Sequence, residues 1–282
     1  MLMRVENNVE LKKYVTFRMG GIAESFYTPE TEEELLELAR EDLTQYSVGG
    51  GSNLLINDTR HFESVVNLRE FSNYISKNDE GYYEVGASVR LQKLINTINE
   101  DGFGGIEYLY SVPGLVGGAV VMNAGRGKQF NQAISDYIIA VKVFHDGKIE
   151  WMEKEVCQFK YRDSVFKRNK WLVLAVKFSF PKTPKLVTEK LRKERIQLCK
   201  EKQDSSAPNF GTVFCKADIH TMRMFQNKIL GKCGKIRYSE KTANWMLNQG
   251  GTFENAIKLI NRVKFVHKLM GKECREEVII WR

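Results

Sequence analysis

Two glycine-rich segments hold the residues best suited to chemistry on a bound group. The first, Val48-Gly-Gly-Gly-Ser-Asn-Leu-Leu55, lies between a predicted helix and a predicted strand. Consecutive glycines let the backbone enter positive φ and approach a ligand closely. Successive amides turned inward form the anion-binding concavity that a pyrophosphate needs, and the Ser52 hydroxyl and Asn53 amide add side-chain bonds. By itself the segment serves a turn as readily as a phosphate cradle. The second, Ser111-Val-Pro-Gly-Leu-Val-Gly-Gly-Ala-Val-Val-Met-Asn-Ala-Gly125, carries four glycines among small residues. Such a stretch suits a backbone lying flat against a bulky planar ligand; close helix–strand packing asks for the same residues. Neither segment is a GxGxxG fingerprint or a GxxxxGK[ST] loop, so those nucleotide-binding modes are not indicated.

The elements that must hold these loops are legible in outline. Thr31-Glu-Glu-Glu34 before Leu35, Leu36 and Leu38 is a capping box that starts a helix. Leu91, Leu94, Ile95 and Ile98 recur at helical spacing. Ser64–Leu68, Tyr82–Ala87, Tyr137–Phe144 and Trp171–Phe180 read as strands, with a hairpin turn at His145-Asp-Gly-Lys148. Pro181 and Pro184 mark a boundary, which divides the chain into residues 1–181 and 182–282. Beyond it come a basic helix, an irregular stretch from Ser205 to Phe214, and a helix ending near Gly231. A long helix from about Thr252 to near Gly271 and a final strand Val278–Trp281 close the chain. Strands and helices intermix without a βαβ rhythm, so the expected class is α+β.

Composition narrows the function. The chain has 282 residues, 43% apolar and 28% charged, which is ordinary for a globular protein. No apolar run approaches the roughly 20 residues that span a bilayer, and the first residues lack a signal-like apolar stretch. A cytoplasmic protein with no membrane partner is expected, as a monomer or weak oligomer. Five scattered cysteines and four histidines show no ligand spacing, so neither a disulfide framework nor a metal is expected. The net charge of +8 suits anionic partners, but no nucleic-acid-binding motif accompanies it. The basic stretch Lys182–Lys202 is interleaved with Glu189, Glu194 and Glu201 and reads as a solvated helix face.

In order along the chain, several segments resemble the UDP-N-acetylenolpyruvoylglucosamine reductase (MurB) family. They are Thr16-Phe-Arg-Met-Gly-Gly21, Gly49-Gly-Gly-Ser-Asn-Leu54 and Val112 to Gly125, then Phe159-Lys-Tyr-Arg-Asp-Ser-Val-Phe166, Gly211-Thr-Val-Phe214, Ser239-Glu-Lys-Thr-Ala-Asn244 and Glu277-Val278. The short span from Phe166 to Gly211 resembles the compact subtype without an extra substrate-covering loop. The resemblance implies a vanillyl-alcohol-oxidase/PCMH-type FAD-binding fold: two α+β subdomains plus a C-terminal α+β substrate domain. It also implies non-covalent FAD, NADPH as co-substrate and a UDP-sugar substrate bearing an enolpyruvyl ether. FAD is then expected on Gly49, Gly50, Gly51, Ser52, Asn53 and Leu54, and on Pro113, Gly114, Gly117, Gly118, Ala119, Asn123, Ala124 and Gly125.

The implied reaction passes hydride to the enolpyruvyl β-carbon and a proton to the α-carbon. It needs a clamp for the carboxylate, a proton donor and a polariser of that donor. Arg162 matches the clamp, since a guanidinium fork grips a carboxylate bidentately; read from the residues alone it is a surface ion pair, with Asp163 as a partner. Thr212 stands where the family has a serine donor, and Glu277 matches the family glutamate. Lys216, Lys241 and Asn244 are the expected substrate-binding residues. Thr242 replaces a frequent family histidine, and Ser206-Ala-Pro-Asn-Phe-Gly211 departs from a tighter family loop. These departures keep open a paralogue with another substrate. A silent flavin-binding module and a nucleic-acid binder are weaker alternatives.

Overall fold

The structure, a computed structural model, describes residues 3–282. The chain forms two compact units, each assembled from separated stretches. The first takes residues up to Glu6, Phe26–Gly50 and Ser64–Cys199; the second takes Asn7–Ser25, Gly51–Glu63 and Lys200–Arg282. The sequence boundary after residue 181 and this partition therefore differ. One reason lies inside the second unit: Leu54–Ile56 pairs in parallel with Ile279–Trp281. Turn residues along the chain carry no signal for so distant a pairing.

The first unit is built on an antiparallel five-stranded sheet. Its order is Ile75–Lys77, Tyr83–Gly86, Leu172–Phe178, Ile138–His145 and Lys148–Glu153. The hairpin between the last two turns at Asp146 and Gly147, both at positive φ, with His145 opposite Lys148; this is the twist-compatible two-residue turn. Helix α1 (Glu32–Arg40) starts at Thr31, whose hydroxyl accepts from Glu34 N. The Glu34 carboxylate reaches back one residue further than a capping box requires, to Glu30 N at 2.7 Å. Helix α2 (Leu91–Glu100) buries Leu91, Leu94, Ile95 and Ile98 in the main core, each worth roughly 1.5–3 kcal/mol of transfer. Helix α3 (Val116–Val121) lies within the second glycine-rich segment and buries Val116, Ala119 and Val120 in the same core. Helix α4 (Val165–Asn169) is capped by Ser164. Helix α5 (Lys185–Lys202) begins just after Pro184, as the proline break predicts.

The second unit carries an antiparallel sheet ordered Asn209–Thr212, Trp245–Asn248, Ile236–Tyr238 and Lys232–Cys233. A short ladder pairs Phe214–Lys216 with Arg275–Glu276. Helix α6 (Ile219–Met224) stops earlier than the expected end near Gly231. The Asn227 side chain accepts from Ile229 N at 2.8 Å and closes a turn in place of further helix. Helix α7 (Phe253–Leu269) starts at the Thr252 cap and buries Ala256, Leu259, Ile260 and Val263. Fully buried His267 fastens its end: the Asp218 amide donates to Nε2 at 3.0 Å, so Nδ1 carries the proton given to the Val263 carbonyl at 2.8 Å.

Candidate active site

The first glycine-rich loop divides between the units after Gly50, so its two halves are described with their own neighbours. In the first unit, Gly49 and Gly50 lie against Gly114 and Leu115, where a side chain on Gly50 would meet Leu115 at 3.4 Å. The start of one glycine-rich segment thus adjoins the other. Arg69 Nε donates to the Gly49 carbonyl at 3.0 Å and fixes its direction.

The glycines of the second segment have distinct reasons. Gly117 packs on Ala87, where a methyl group would come within 2.8 Å of the Ala87 methyl. Gly125 faces the Gln132 carbonyl, which a Cβ would approach to 2.1 Å. Gly118 has nothing within 4 Å of its would-be Cβ and is exposed. No protein contact requires glycine there, and the open backbone leaves room for a flat group. Ala119 is committed to the core, Ala124 accepts from Ile134 N, and Pro113 is exposed. Asn123, at φ 42°, donates to the Lys160 carbonyl at 3.0 Å and accepts from Ser135 N at 3.3 Å.

That bond to Lys160 brings in the Tyr161–Ser164 turn. Arg162 Nη2 donates to the Gly125 carbonyl at 2.7 Å, and Nη1 reaches the Asn123 carbonyl at 3.5 Å. Ser164 donates to the Val121 carbonyl at 2.7 Å while capping α4. Asp163 pairs with Arg168, and the Arg162 guanidinium rests on the glycine-rich segment. Tyr108, which sequence reasoning did not single out, has a buried hydroxyl without a hydrogen-bond partner. Burial holds its pKa well above the usual phenol range, and the Arg162 charge opposes that rise. A second omission is Ser111, which receives bonds from Arg195 Nε at 2.8 Å and Cys199 Sγ at 3.0 Å on α5. No local pattern in the basic helix announced that contact.

In the second unit Gly51 is obligatory: at φ 63°, any Cβ would fall 1.9 Å from the Tyr14 carbonyl. Its own carbonyl accepts from Thr16 N at 3.0 Å. Thr16 in turn donates through its hydroxyl to the Asn209 carbonyl at 2.7 Å, which gives the Thr16–Gly21 motif a structural role. Asn53 donates its side-chain amide to the Glu277 carbonyl at 3.1 Å, and its carbonyl accepts from Ile279 N at 3.0 Å. Glu277 N donates to the Val213 carbonyl at 2.8 Å, next to Thr212. Loop residues 51–54, the Glu277 segment and the Thr212–Phe214 segment therefore form one bonded cluster. Ser52 is half-buried beside this cluster and Leu54 is buried.

Asn244 completes the cluster. At φ 67°, its side chain accepts from Phe214 N at 3.0 Å and donates to the Phe214 carbonyl at 2.8 Å. It stands in for a neighbouring strand and fixes the residues after Thr212. Of the adjacent glutamates, Glu276 accepts from Lys264 at 2.8 Å; burial raises its pKa, but this bond and the Lys264 charge leave it below the usual carboxylate range. Lys216 pairs with Glu273. Lys241 and Thr242 donate to the Lys200 and Lys202 carbonyls, at 2.9 and 2.7 Å, and so cap the end of α5. The structure thus joins Asn244 to Phe214, two residues after Thr212, and holds Lys216 and Lys241 on other partners.

The arrangement can seat a flat, phosphate-bearing cofactor. In the first unit the open backbone at Gly118 and the Tyr108 hydroxyl, buried without a hydrogen-bond partner, are features that such a group would use.

Comparison with known proteins gives a concordant result. Residues 23–153 match a family described as "FAD binding domain". A UDP-N-acetylenolpyruvoylglucosamine reductase of Thermotoga petrophila is 31% identical over 283 residues, covering 96% of this chain and 97% of its own. The Fusobacterium nucleatum enzyme of the same name is 28% identical and covers 99% and 100%. Among solved structures, the UDP-N-acetylenolpyruvylglucosamine reductase (MurB) of Thermus caldophilus superposes with a TM-score of 0.80 at 30% identity, over 100% of both chains.

Proposed function

Since the chain belongs to the UDP-N-acetylenolpyruvoylglucosamine reductase family, we propose that it reduces the enolpyruvyl group of UDP-N-acetylglucosamine enolpyruvate at the expense of NADPH. The product is UDP-N-acetylmuramate, a peptidoglycan precursor. The fold is α+β, of the vanillyl-alcohol-oxidase/PCMH-type FAD-binding kind, and the enzyme is an FAD-dependent oxidoreductase. One observation carries the assignment of roles: Asn53 in the glycine-rich loop is bonded to the Glu277 carbonyl, and the Glu277 amide to the carbonyl of Val213, next to Thr212.

Bound FAD supplies the hydride that reaches the substrate β-carbon. Residues 49–54 and 113–125 hold the cofactor through backbone amides and small side chains. Arg162 grips the substrate carboxylate and gains strength as negative charge builds there. The Thr212 hydroxyl gives its proton to the α-carbon, and Glu277, in its carboxylic-acid form, shares its proton with the developing enol and then reprotonates the Thr212 oxygen, ending as the carboxylate. Asn244 sets the Thr212 strand, and Lys216 and Lys241 attract the diphosphate after leaving their present partners. Functionally, residues 1–181 serve the flavin and 182–282 the substrate. The same proposal places the enzyme in the cytoplasm as a monomer or weak oligomer that binds no nucleic acid.

A second reading rests on Thr212 and Thr242, whose hydroxyls replace the expected serine and histidine: a paralogue with another substrate on the same flavin site. One anaerobic experiment decides between them. Flavin is reduced with NADPH, UDP-N-acetylglucosamine enolpyruvate is added, and the oxidised-flavin absorbance is followed. Rapid return of that absorbance establishes the reductase, and Thr212→Val should slow the return while Thr212→Ser preserves it. Flavin that stays reduced moves the assignment to the paralogue.

A further inference from the structure

On the second unit, helix α6, the turn at residues 227–231 and one flank of α7 share an exposed apolar face. Arg262 Nη1 donates to the carbonyls of Leu230 at 3.2 Å and Lys232 at 3.0 Å, which lays the turn against α7. Thr221 Oγ1 donates to Met270 Sδ at 3.4 Å and brings α6 to the helix end. Arg262, Phe265 and Leu269 fall on one flank of α7 by helical spacing. The turn is therefore tied to this flank of α7 at Arg262, and α6 to its end. Ile229 is 85% exposed, Leu269 71% and Phe265 61%, with Leu230 and Met224 exposed beside them. Single exposed apolar residues are ordinary; several gathered on one face mark an interaction surface.

The charge around this face is mainly positive. Between Ile219 and Tyr238 the sequence has five cations, Arg223, Lys228, Lys232, Lys235 and Arg237, and no Asp or Glu. Glu240 offers a partial counter-charge, 3.9 Å from Lys228 and 3.8 Å from Arg237. Arg262 and Lys268 add charge from α7 and are exposed.

We propose that this face docks the enzyme peripherally on an anionic lipid bilayer. Cations would meet the headgroups while Ile229, Phe265 and Leu269 reach the acyl boundary. Two features select this occupant. A second copy across a two-fold axis would set the cations against themselves. The apolar side chains stand on a turn and a helix flank, and a hollow beside the turn is edged by Gln226, Asn227, Lys228, Arg237 and Glu240, a polar lining that gives an apolar anchor of a protein partner little to enter. Among the described residues no helix is long and apolar enough to cross a membrane. The sequence expectation of no membrane partner rested on span length, which a surface contact does not need. None of these side chains belongs to the proposed catalytic or flavin-binding set.

The test uses the flavin-loaded enzyme sedimented with vesicles of phosphatidylcholine alone or mixed with phosphatidylglycerol. Binding should require phosphatidylglycerol and fall with added salt. An Ile229→Glu/Leu269→Glu variant should bind at least about tenfold more weakly, with flavin content and solution activity unchanged. Absence of binding to the anionic vesicles would overturn the proposal, as would equal binding by the variant or to the neutral vesicles. Self-association of the wild type without vesicle binding, abolished in the variant, would also overturn it and assign the face to a second copy.

Discussion

At the scale of single residues, Asn53 and Asn244 act through the backbones of their neighbours. Asn244 replaces a missing strand partner for Phe214, whose side chain is buried in the core. Leaving those backbone groups unmet costs about 1–3 kcal/mol. An alanine would also hold a left-handed φ at a cost of about 1 kcal/mol. Asn244→Gly should therefore be more stable than Asn244→Ala in urea, and both should lower kcat while retaining flavin. If Asn244 serves only the substrate, KM alone will rise. Gly51 is the complementary case. Its Cβ has no place beside the Tyr14 carbonyl, so Gly51→Ala should destabilise by at least about 2 kcal/mol and purify with less flavin. Wild-type flavin content in that variant would remove Gly51 from the cradle.

Elements set where these residues stand. Helix α5 was legible from Pro184 onward as a basic helix, yet its contacts were not. Arg195 and Cys199 hold Ser111 at the entry to the second glycine-rich segment. Arg195→Gln should weaken flavin affinity several-fold, by roughly 1 kcal/mol for one lost bond, as read by flavin titration of the stripped protein. At the helix end, Asp204 accepts from the Ser239 hydroxyl at 2.6 Å and from Ser206 N at 3.0 Å. Burial pushes its pKa up, but these bonds, with the Arg237 charge, leave it below the usual carboxylate range. A depressed folded value means that its stabilisation is present above the ordinary carboxylate range and is lost as pH falls through the folded value. Asp204→Asn should therefore show a smaller loss of urea stability on acidification than the wild type. An identical acid dependence would refute the role of Asp204.

For the whole molecule, the decisive link is between distant parts of the chain. The strand Leu54–Ile56 has Ile279–Trp281 as its parallel partner, and Trp281 accepts from Asn57 N at 2.9 Å. Deleting residues 279–282 should therefore release the strand that follows the first glycine-rich loop, although the deleted residues lie outside both glycine-rich segments. Flavin loss with a broadened urea transition is the expected result; a fully loaded truncated protein would refute it.

Local patterns by themselves determined a good deal of this protein. Capping at Thr31, the α2 periodicity, the Asp146–Gly147 turn and the proline-led start of α5 depend on neighbours a few residues away, so they could be read directly. Both glycine-rich segments were visible for the same reason, because backbone freedom and small volume are properties of residue type. What each glycine is for was decided only in three dimensions: Gly117 packs, Gly51 escapes a carbonyl, and Gly118 is open. The engagement of Asn53 with Glu277, of Asn244 with Phe214 and of Ser111 with α5 likewise awaited the tertiary structure. Each joins residues 30 or more positions apart, and a hydrogen bond over that distance leaves no periodic trace along the chain. The division into units was settled in the same way, by which strands pair, and strand pairing is a property of the folded backbone.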